Sequence, residues 1–226
     1  MILIFIKNIR FNKLPLKTSK LFSLLAIAFL LPTVSWATIT FQLGNNPQPG
    51  EENVLLSNGT TGSTVSGTTN QTGFVVNFSS LTQTLTEPSS GQARIEATSN
   101  GAQVALSDVS FSLANATFTD AIFNMFIGGT IGTPGSSTIT AVSNDGTFQF
   151  SFDLGNGSNF LTIFASGGET LENISISAAQ PGFTDLRQVR ISGATASTVP
   201  DTGSTLALLS SGVSALALLR RKLAFQ

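Results

Sequence analysis

Paired carboxylates are the residues of this chain with the clearest capacity for chemistry. Two acidic side chains that face each other across a cleft can hydrolyse a glycosidic bond. Four pairs lie close enough in sequence to be considered: Glu51 with Glu52, Asp145 with Asp153, Glu169 with Glu172, and Asp108 with Asp120. Most of these acids fall at the ends of predicted strands or in turns, where solvated Asp and Glu are common. We therefore expect no catalytic residue and a protein that is not an enzyme.

Composition excludes most other reactive sites. The chain of 226 residues has no His, no Cys and no Tyr. It therefore has no Ser-His-Asp triad, no cysteine nucleophile and no zinc–thiolate site. It can form no disulfide either, but a body of this length buries enough surface to fold without one.

A calcium ion is the one cofactor for which the sequence offers ligands. Calcium takes carboxylate and amide oxygens, which loops of extracellular β domains often supply. The candidates are Asn144, Asp145, Asp153 and Asn156. The chain lacks the DxDxDG spacing of a calcium loop, so ordinary turn chemistry is the alternative interpretation. No other cofactor is expected.

Charge is distributed unevenly along the chain. Eight of the eleven basic residues lie in the first 20 or the last seven positions, whereas all twelve acids lie within positions 51–201. Only Arg94, Arg187 and Arg190 offset them, so this middle region has a net charge of −9. We expect so acidic a body to bind no nucleic acid and to resist self-association. Arg187 and Arg190 are three apart in a predicted strand, so we expect them on opposite faces, where they make a poor joint anion site.

Residues 1–37 are typical of a secretory signal peptide. A basic stretch precedes an apolar run over residues 21–31, which Pro32 interrupts. The small residues at positions 35 and 37 fit the rule for signal peptidase, so we predict cleavage between Ala37 and Thr38. The eleven residues of this run, ten of them apolar, are too few for a helix that crosses about 30 Å of hydrocarbon. An uncleaved anchor is the alternative.

Residues 199–226 have three parts in order. The first is a turn-forming motif: Val199, Pro200, Asp201, Thr202, Gly203, Ser204 and Thr205. An apolar stretch over residues 206–219 follows, and three basic residues end it: Arg220, Arg221 and Lys222. As a helix the apolar stretch would span about 21 Å at 1.5 Å per residue. We predict a short transmembrane helix with a cytoplasmic C-terminus, because basic residues are retained on that side.

This arrangement resembles the C-terminal sorting signal of the PEP-CTERM class, in its VPDSG-type variant. Thr202 stands where Ser is more common. The resemblance implies export by a bacterium that makes exopolysaccharide. It also implies that an exosortase-like membrane protease is a partner and processes the chain at the motif. The protein would pass through an inner-membrane intermediate and end on the cell surface or outside the cell, in the matrix of a biofilm.

Residues 38–193 are predicted to form one all-β domain, an antiparallel β-sandwich of jelly-roll-like type. Short runs rich in Val, Ile, Phe and Thr alternate with clusters of Gly, Asn and Ser, which is typical of strands and turns. Residues 109–113 alternate between apolar and polar, which predicts one buried face. The nearly continuous apolar run over residues 121–127 predicts a central strand covered on both sides.

Four segments of the body are predicted to lie outside strands. Residues 44–50 are expected to be a Pro-rich loop, and residues 58–72 a flexible loop of low complexity. Residues 81–85 are expected to form a single helical turn. Residues 194–198 are expected to be a spacer between the domain and the sorting motif.

Three functions are consistent with these features. The first is an exported surface or matrix protein whose β domain is a structural or interaction module associated with exopolysaccharide. The second is a carbohydrate-binding module, although the one Trp of the chain, Trp36, lies in the leader and no aromatic platform is evident. The third is an exported glycan hydrolase, which requires two carboxylates that converge in a cleft.

Overall fold

The computed structural model describes residues 38–57 and 59–197. Every regular element in this part of the chain is a β-strand, and it contains no helix. The first nine strands are β1 (Thr38–Leu43), β2 (Glu52–Leu56), β3 (Thr61–Gly62), β4 (Thr64–Thr69), β5 (Val75–Ser79), β6 (Thr84–Thr86), β7 (Gly91–Gln92), β8 (Arg94–Ser99) and β9 (Ala102–Val104). The others are β10 (Asp108–Leu113), β11 (Ala116–Thr117), β12 (Asp120–Phe126), β13 (Gly135–Ser143), β14 (Gly146–Leu154), β15 (Phe160–Ser166), β16 (Leu171–Ala178), β17 (Asp185–Ser192) and β18 (Thr195–Ala196).

One antiparallel sheet contains most of these strands. Its main path runs β1-β15-β12-β17-β2-β4-β5-β10-β16-β13-β14. β2 joins the two halves of this path, because Glu52 and Asn53 pair with β17 whereas residues 54–56 pair with β4. β3, β6, β8 and β9 form a smaller outer group that is attached where β8 pairs with β17. The predicted antiparallel all-β class is confirmed.

Phenylalanine side chains pack between the two halves of the sheet. Phe111 of β10 meets Phe123 of β12 edge to face, with ring centroids 5.4 Å apart. Phe41 of β1 stacks on Phe150 of β14, also at 5.4 Å. Such aromatic pairs contribute about 0.5–1.5 kcal/mol each beyond the area they bury. Val109, Phe111 and Leu113 are all buried, so the predicted inner face of β10 is confirmed.

β12 is buried on both faces, as its apolar run predicts. Phe123 and Met125 belong to the core, whereas Ile122 and Asn124 point to the other side of the sheet and are still only 1% exposed. On that side, residues 44–51, which we call the strap, contact the strands next to β12 at Thr162 and Arg190. The predicted loop therefore has irregular secondary structure, but it is fixed across the sheet.

Polar contacts hold the strap in place. Thr162, which pairs with Ile122 across β15 and β12, accepts a hydrogen bond from the Asn46 N–H at 3.1 Å and donates one to the Gly44 carbonyl at 2.9 Å. At the other end, Arg190 forms an ion pair with Glu51 at 2.6 Å. Thr162, which the strap contacts directly, is fully buried.

The prediction of a flexible loop over residues 58–72 is wrong for residues 59–72, which the structure describes. β4 lies in this segment, between β2 and β5. Its residues alternate strictly between exposed and buried, and Thr and Val favour strands. The low-complexity composition of the segment concealed this alternation in the sequence. Gly67 is required where β4 meets β2, since a Cβ at this position would lie 2.6 Å from the Leu55 carbonyl oxygen.

Two other expectations for irregular segments are also wrong. Residues 81–85 form no helical turn, because β6 begins at Thr84 and pairs with both β3 and β8. The spacer over residues 194–198 contains β18, which pairs with β11. The β domain therefore extends beyond the predicted boundary at residue 193.

Arg187 and Arg190 lie on the same face of the sheet, which corrects the prediction from their spacing. Arg190 pairs with Ile122 and Arg187 with Asn124, and the register shifts between these two pairs. Gln188 lies in this irregular stretch with a φ of +55°. This bulge adds one residue to β17 between the two arginines. Both side chains therefore project from the same face although they are three positions apart.

The predicted signal peptide (1–37), sorting motif (199–205), apolar stretch (206–219) and basic residues 220–222 lie outside the described residues. Thr38, the predicted first residue after cleavage, is the first residue of β1. Among the residues that the structure describes, no helix is long and apolar enough to cross a membrane.

Candidate functional site

A cleft of about 870 Å³ lies on the outer group of strands. β3, β6, β8 and β9 supply most of its lining, with the turn between β8 and β9 at one side. We call it the threonine cleft and define it by six side chains: Thr61, Thr84, Thr86, Glu96, Thr98 and Gln103. All six are polar, so the cleft offers hydrogen-bonding groups rather than an apolar surface.

Strand register arranges these side chains in two rows. Thr61, Thr86 and Glu96 form one row across β3, β6 and β8. The other row crosses β6, β8 and β9, and its members are Thr84, Thr98 and Gln103. Directly paired residues project to the same face, and neighbouring strands are about 4.8 Å apart. Each row is therefore a ladder of hydroxyl, amide or carboxylate groups with regular spacing.

Glu96 is the one carboxylate among the residues that line the cleft. It is 7% exposed and forms an ion pair with Arg94 at 2.6 Å. Burial raises the pKa of Glu96 above its ordinary value, and the nearby Asp185 carboxylate adds to this, although Arg94 acts in the opposite direction. The group is thus easier to protonate than a solvated glutamate.

Behind Glu96 the charges alternate in sign. Arg94 lies 3.4 Å from Asp185, which also pairs with Arg187. The Arg187 guanidinium lies over the Phe126 ring, 3.7 Å from its centroid, which is a favourable cation–π position. Asp185 is fully buried and held by two arginines, so it is not available as a second acid or base in the cleft.

The rim of the cleft is fixed by hydrogen bonds to the backbone. Gln83 donates to the Ala105 carbonyl at 2.7 Å and accepts from the Ser107 N–H at 2.7 Å. Gln103 donates to the Thr184 carbonyl at 3.2 Å. Asn100 occupies the turn between β8 and β9 with a φ of +52°, a conformation that Asn tolerates. The site is therefore largely preorganised.

Glu87 follows the cleft residue Thr86 but faces the opposite way. It is 1% exposed, and neither carboxylate oxygen has a hydrogen-bond partner among the described residues. Leu85 precedes it by two positions and is fully buried on the same side. Because side chains alternate along a strand, Glu87 points to the interior and is not part of the cleft.

A second polar surface covers the outer side of β4, β5, β10, β16, β13 and β14. One row of paired residues crosses all six strands: Thr64, Ser79, Ser110, Ser175, Thr140 and Gln149. The row bonds to itself, for example where Thr64 and Ser79 share a hydrogen bond of 3.1 Å and Gln149 donates to Thr140 at 3.3 Å. A shallow groove of about 290 Å³ lies along it. We call this surface the hydroxyl face.

The structure does not bring any of the four acidic pairs together at the threonine cleft. Glu51 holds Arg190, and the neighbouring Glu52 accepts two N–H groups in the turn between β4 and β5. Glu169 is buried and accepts a hydrogen bond from the Ser143 hydroxyl at 2.5 Å, whereas Glu172, the other acid of that pair, is exposed. Asp108 lies on β10 and Asp120 on β12, which belong to different halves of the sheet.

The calcium candidates are also separated. Asp145 precedes β14 and Asp153 lies near its other end, about 26 Å away at 3.3 Å per residue. Asn144 uses its side-chain oxygen to accept the Thr170 N–H at 2.7 Å, so a turn employs this ligand. No group of three or more His, Cys, Asp or Glu side chains that could hold a metal ion occurs within residues 38–57 and 59–197.

The comparison with protein families concerns the C-terminal segment. A family model described as the VPDSG-CTERM motif matches residues 198–223. The chain carries a VPDSG-CTERM sorting signal. The resemblance noted in the sequence is thus confirmed, and this PEP-CTERM-like signal indicates an exported protein processed by an exosortase-type system. Its destination is the cell surface or the exterior of the cell.

The β domain was not matched in the other comparisons. Neither the search of curated proteins nor that of solved structures gave a match. The VPDSG-CTERM signal therefore identifies the route of the protein, and the role of the β domain has to be inferred from its own surface. The threonine cleft was missed in the sequence, although alternating threonines at positions 82, 84 and 86 mark one of its walls.

Proposed function

We propose that this is a non-enzymatic protein of the bacterial cell surface or extracellular matrix, whose β domain interacts with exopolysaccharide. In this proposal the domain is a jelly-roll-like sandwich, and an exosortase-like protease frees it from an inner-membrane intermediate at the motif over residues 199–205. The observation that carries the proposal is the sorting signal at residues 198–223. The polar cleft on the exported domain supports the choice of ligand.

Hydroxyl and amide side chains suit a saccharide because they both donate and accept hydrogen bonds. Sugar hydroxyls have the same dual character, so the five hydroxyl and amide side chains of the two ladders can bind successive sugars. The cleft has no aromatic platform among its lining residues. We therefore expect modest affinity for each sugar and an interaction that depends on polymer length.

The charge of the domain favours a neutral polysaccharide over an acidic one. Residues 38–197 contain three basic and eleven acidic residues, a net charge of −8. Arg94, Arg187 and Arg190 are each paired with a carboxylate, so none is free to bind a uronate or sulfate group. An anionic polymer would be repelled by the field of the domain.

The test is binding of the exported protein to insoluble neutral and anionic polysaccharides, measured by co-sedimentation. Replacing Thr84 and Thr98 together by Val removes two hydroxyls from one ladder. Each lost hydrogen bond costs about 0.5–1.5 kcal/mol, so the Kd should rise by roughly 5- to 150-fold. Thr64→Val with Thr140→Val, on the hydroxyl face, is the matched control and should bind as the parent does. Equal binding by both double variants would contradict the assignment of the cleft.

A carbohydrate-binding module is the second candidate, and the same cleft favours it. A carbohydrate-binding module would bind isolated polysaccharide as well as the proposed matrix protein does. Its deletion, however, would leave assembly of the matrix unchanged. A glycan hydrolase is distinguished through Glu96, the one carboxylate in the lining. We expect the parent protein to release no reducing ends from any bound polysaccharide. Release that Glu96→Gln abolishes would replace the proposal by a hydrolase.

A further inference from the structure

β14 is an open edge of the sheet. It is the last strand of the main path and pairs with β13 along nine residues. No other described strand pairs with it. An edge strand presents a row of unpaired N–H and C=O groups, which is a template for another strand. Its length makes this edge unusually large, since strands average about five to six residues.

The groups on the free edge follow from the hydrogen-bond pattern. The Ala179 N–H donates a hydrogen bond to the Ser136 carbonyl. The backbone groups of Ser136 and of the other even-numbered residues of β13 therefore face β16, and those of its odd-numbered residues face β14. Those odd-numbered residues pair with even-numbered residues of β14. Because bonding direction alternates along an antiparallel strand, the backbone groups of Thr147, Gln149, Ser151 and Asp153 face the free edge.

β14 lacks the devices that usually protect an edge. Proteins block edge pairing with Lys, Pro, a bulge or an inward charge. Residues 146–154 contain no Lys and no Pro, and their pairing with β13 is free of register shifts. The inward side chains are Phe148, Phe150 and Phe152, all half-buried against the core. The one charge, Asp153, points outward near the end of the strand.

We propose that the free edge of β14 pairs with the same edge of a second copy of this chain, which extends the sheet across a two-fold axis. The register is centred on Phe150, so that Gln149 of one copy pairs with Ser151 of the other and Thr147 with Asp153. This register leaves no like charges opposite each other. It also sets Phe150 against Phe150 and Phe148 against Phe152, at the close positions where cross-strand aromatic contacts form.

The acidic charge of the domain opposes this pairing and makes it depend on salt. Each copy carries a net charge of −8 over residues 38–197. The screening length falls from about 30 Å at 0.01 M salt to about 8 Å at 0.15 M. Pairing is therefore weak at low ionic strength and strengthens as salt is added. This inference goes beyond the proposed polysaccharide binding, because the threonine cleft lies on other strands.

Cysteine crosslinking tests the register directly, because the chain has no Cys of its own. In the proposed pair the Cα atoms of positions 149 and 151 are about 5.5 Å apart, within the range that a disulfide spans. The full-length exported protein with Gln149→Cys and Ser151→Cys should form a covalent dimer on mild oxidation at 0.15 M salt. Thr64→Cys with Ser66→Cys, at two outward positions of the interior strand β4, is the matched control and should stay monomeric.

A proline variant tests the role of the backbone. Ser151→Pro removes one N–H from the free edge and leaves the bonds to β13 intact, a change that edge strands tolerate. We expect it to abolish the association seen by sedimentation velocity for the parent chain while leaving the melting temperature nearly unchanged. A parent protein that is monomeric at 0.15 M salt, equal crosslinking of the two cysteine pairs, or undiminished association of Ser151→Pro would each overturn the proposal.

Discussion

Glu52 closes the turn between β4 and β5, and its removal has a calculable cost. Its carboxylate accepts the N–H groups of Gln71 at 2.9 Å and Thr72 at 2.7 Å, together with the Thr72 hydroxyl at 2.9 Å. Glu52 is 7% exposed. Hydrogen bonds to a charged group contribute about 1.5–3 kcal/mol each, and Gln keeps the shape and one acceptor, so we expect Glu52→Gln to lower the free energy of unfolding by about 2–3 kcal/mol.

The effect should depend on pH with a defined sign. Burial acts to raise the pKa of Glu52, but the hydrogen bonds from Thr72 and the Gln71 N–H outweigh it and leave the pKa below its ordinary value of 4.5. A lowered pKa in the folded state stabilises the protein above the unfolded pKa, and this contribution is lost as the pH falls through the folded value. The parent protein and Glu52→Gln should therefore differ at pH 7 and converge in strong acid.

Urea unfolding of the exported protein at several pH values is the assay. The variant should shift the midpoint and leave the slope of the transition unchanged. Glu172→Gln is the control, because Glu172 is exposed on β16 and should differ from the parent by less than about 0.5 kcal/mol. If Glu52→Gln lowered the free energy of unfolding as much in acid as at pH 7, the charge of Glu52 would not be the source of the stabilisation. If it caused no loss of stability at pH 7, the hydrogen bonds of Glu52 to the turn would not stabilise the protein.

Two substitutions in the core follow from packing. Phe111→Ala should lower the free energy of unfolding by about 3–5 kcal/mol, because its ring contacts aromatic rings from both halves of the sheet. Leu81→Ala is the control. Leu81 is 98% exposed, so this substitution should change the free energy of unfolding by less than about 0.5 kcal/mol. Gly67→Ala should lower the free energy of unfolding by about 1–3 kcal/mol, as overpacking does, because the new Cβ would lie 2.6 Å from the Leu55 carbonyl oxygen. Gly155→Ala is the control and should be tolerated, because a Cβ at that position meets no atom closer than 3.9 Å. Thermal or urea unfolding measures both, and a Gly67→Ala variant as stable as Gly155→Ala would contradict the close approach of β2 and β4.

Some of the fold could be predicted because the sequence repeats a local rule. The alternation of Val109, Phe111 and Leu113 determines which face of β10 is buried, and the unbroken apolar run of β12 indicates cover on both sides. Each signal depends on neighbouring residues alone. The antiparallel all-β class followed from many such runs separated by turn residues.

Other features depend on residues far apart in the chain. The strap is held by Thr162 and Arg190, which lie more than 110 positions later in the chain. The joint face of Arg187 and Arg190 depends on a bulge that no spacing rule reveals. β4 was missed because Thr, Ser and Gly are common in both loops and exposed strands, and its buried residues are identified only by their contact with β2.

The candidate site was the least predictable part. Thr84 and Thr98 are fourteen positions apart, and only the register of β6 and β8 makes them neighbours. Glu96 resembles any other strand glutamate in the sequence. By contrast, the sorting signal was recognisable because its motif, apolar stretch and basic residues follow one another directly in the chain.

Intact mass and fractionation of the native protein, with the parent motif and with residues 199–205 scrambled, test whether the chain is exported and processed at the motif. We predict a parent form that begins at Thr38, lacks the residues after the motif and is found at the surface or outside the cell. The scrambled variant should keep residues 220–222 and stay in the membrane. If the chain keeps those residues and remains in the membrane whichever motif is present, it is not processed at the motif and is a plain tail-anchored protein.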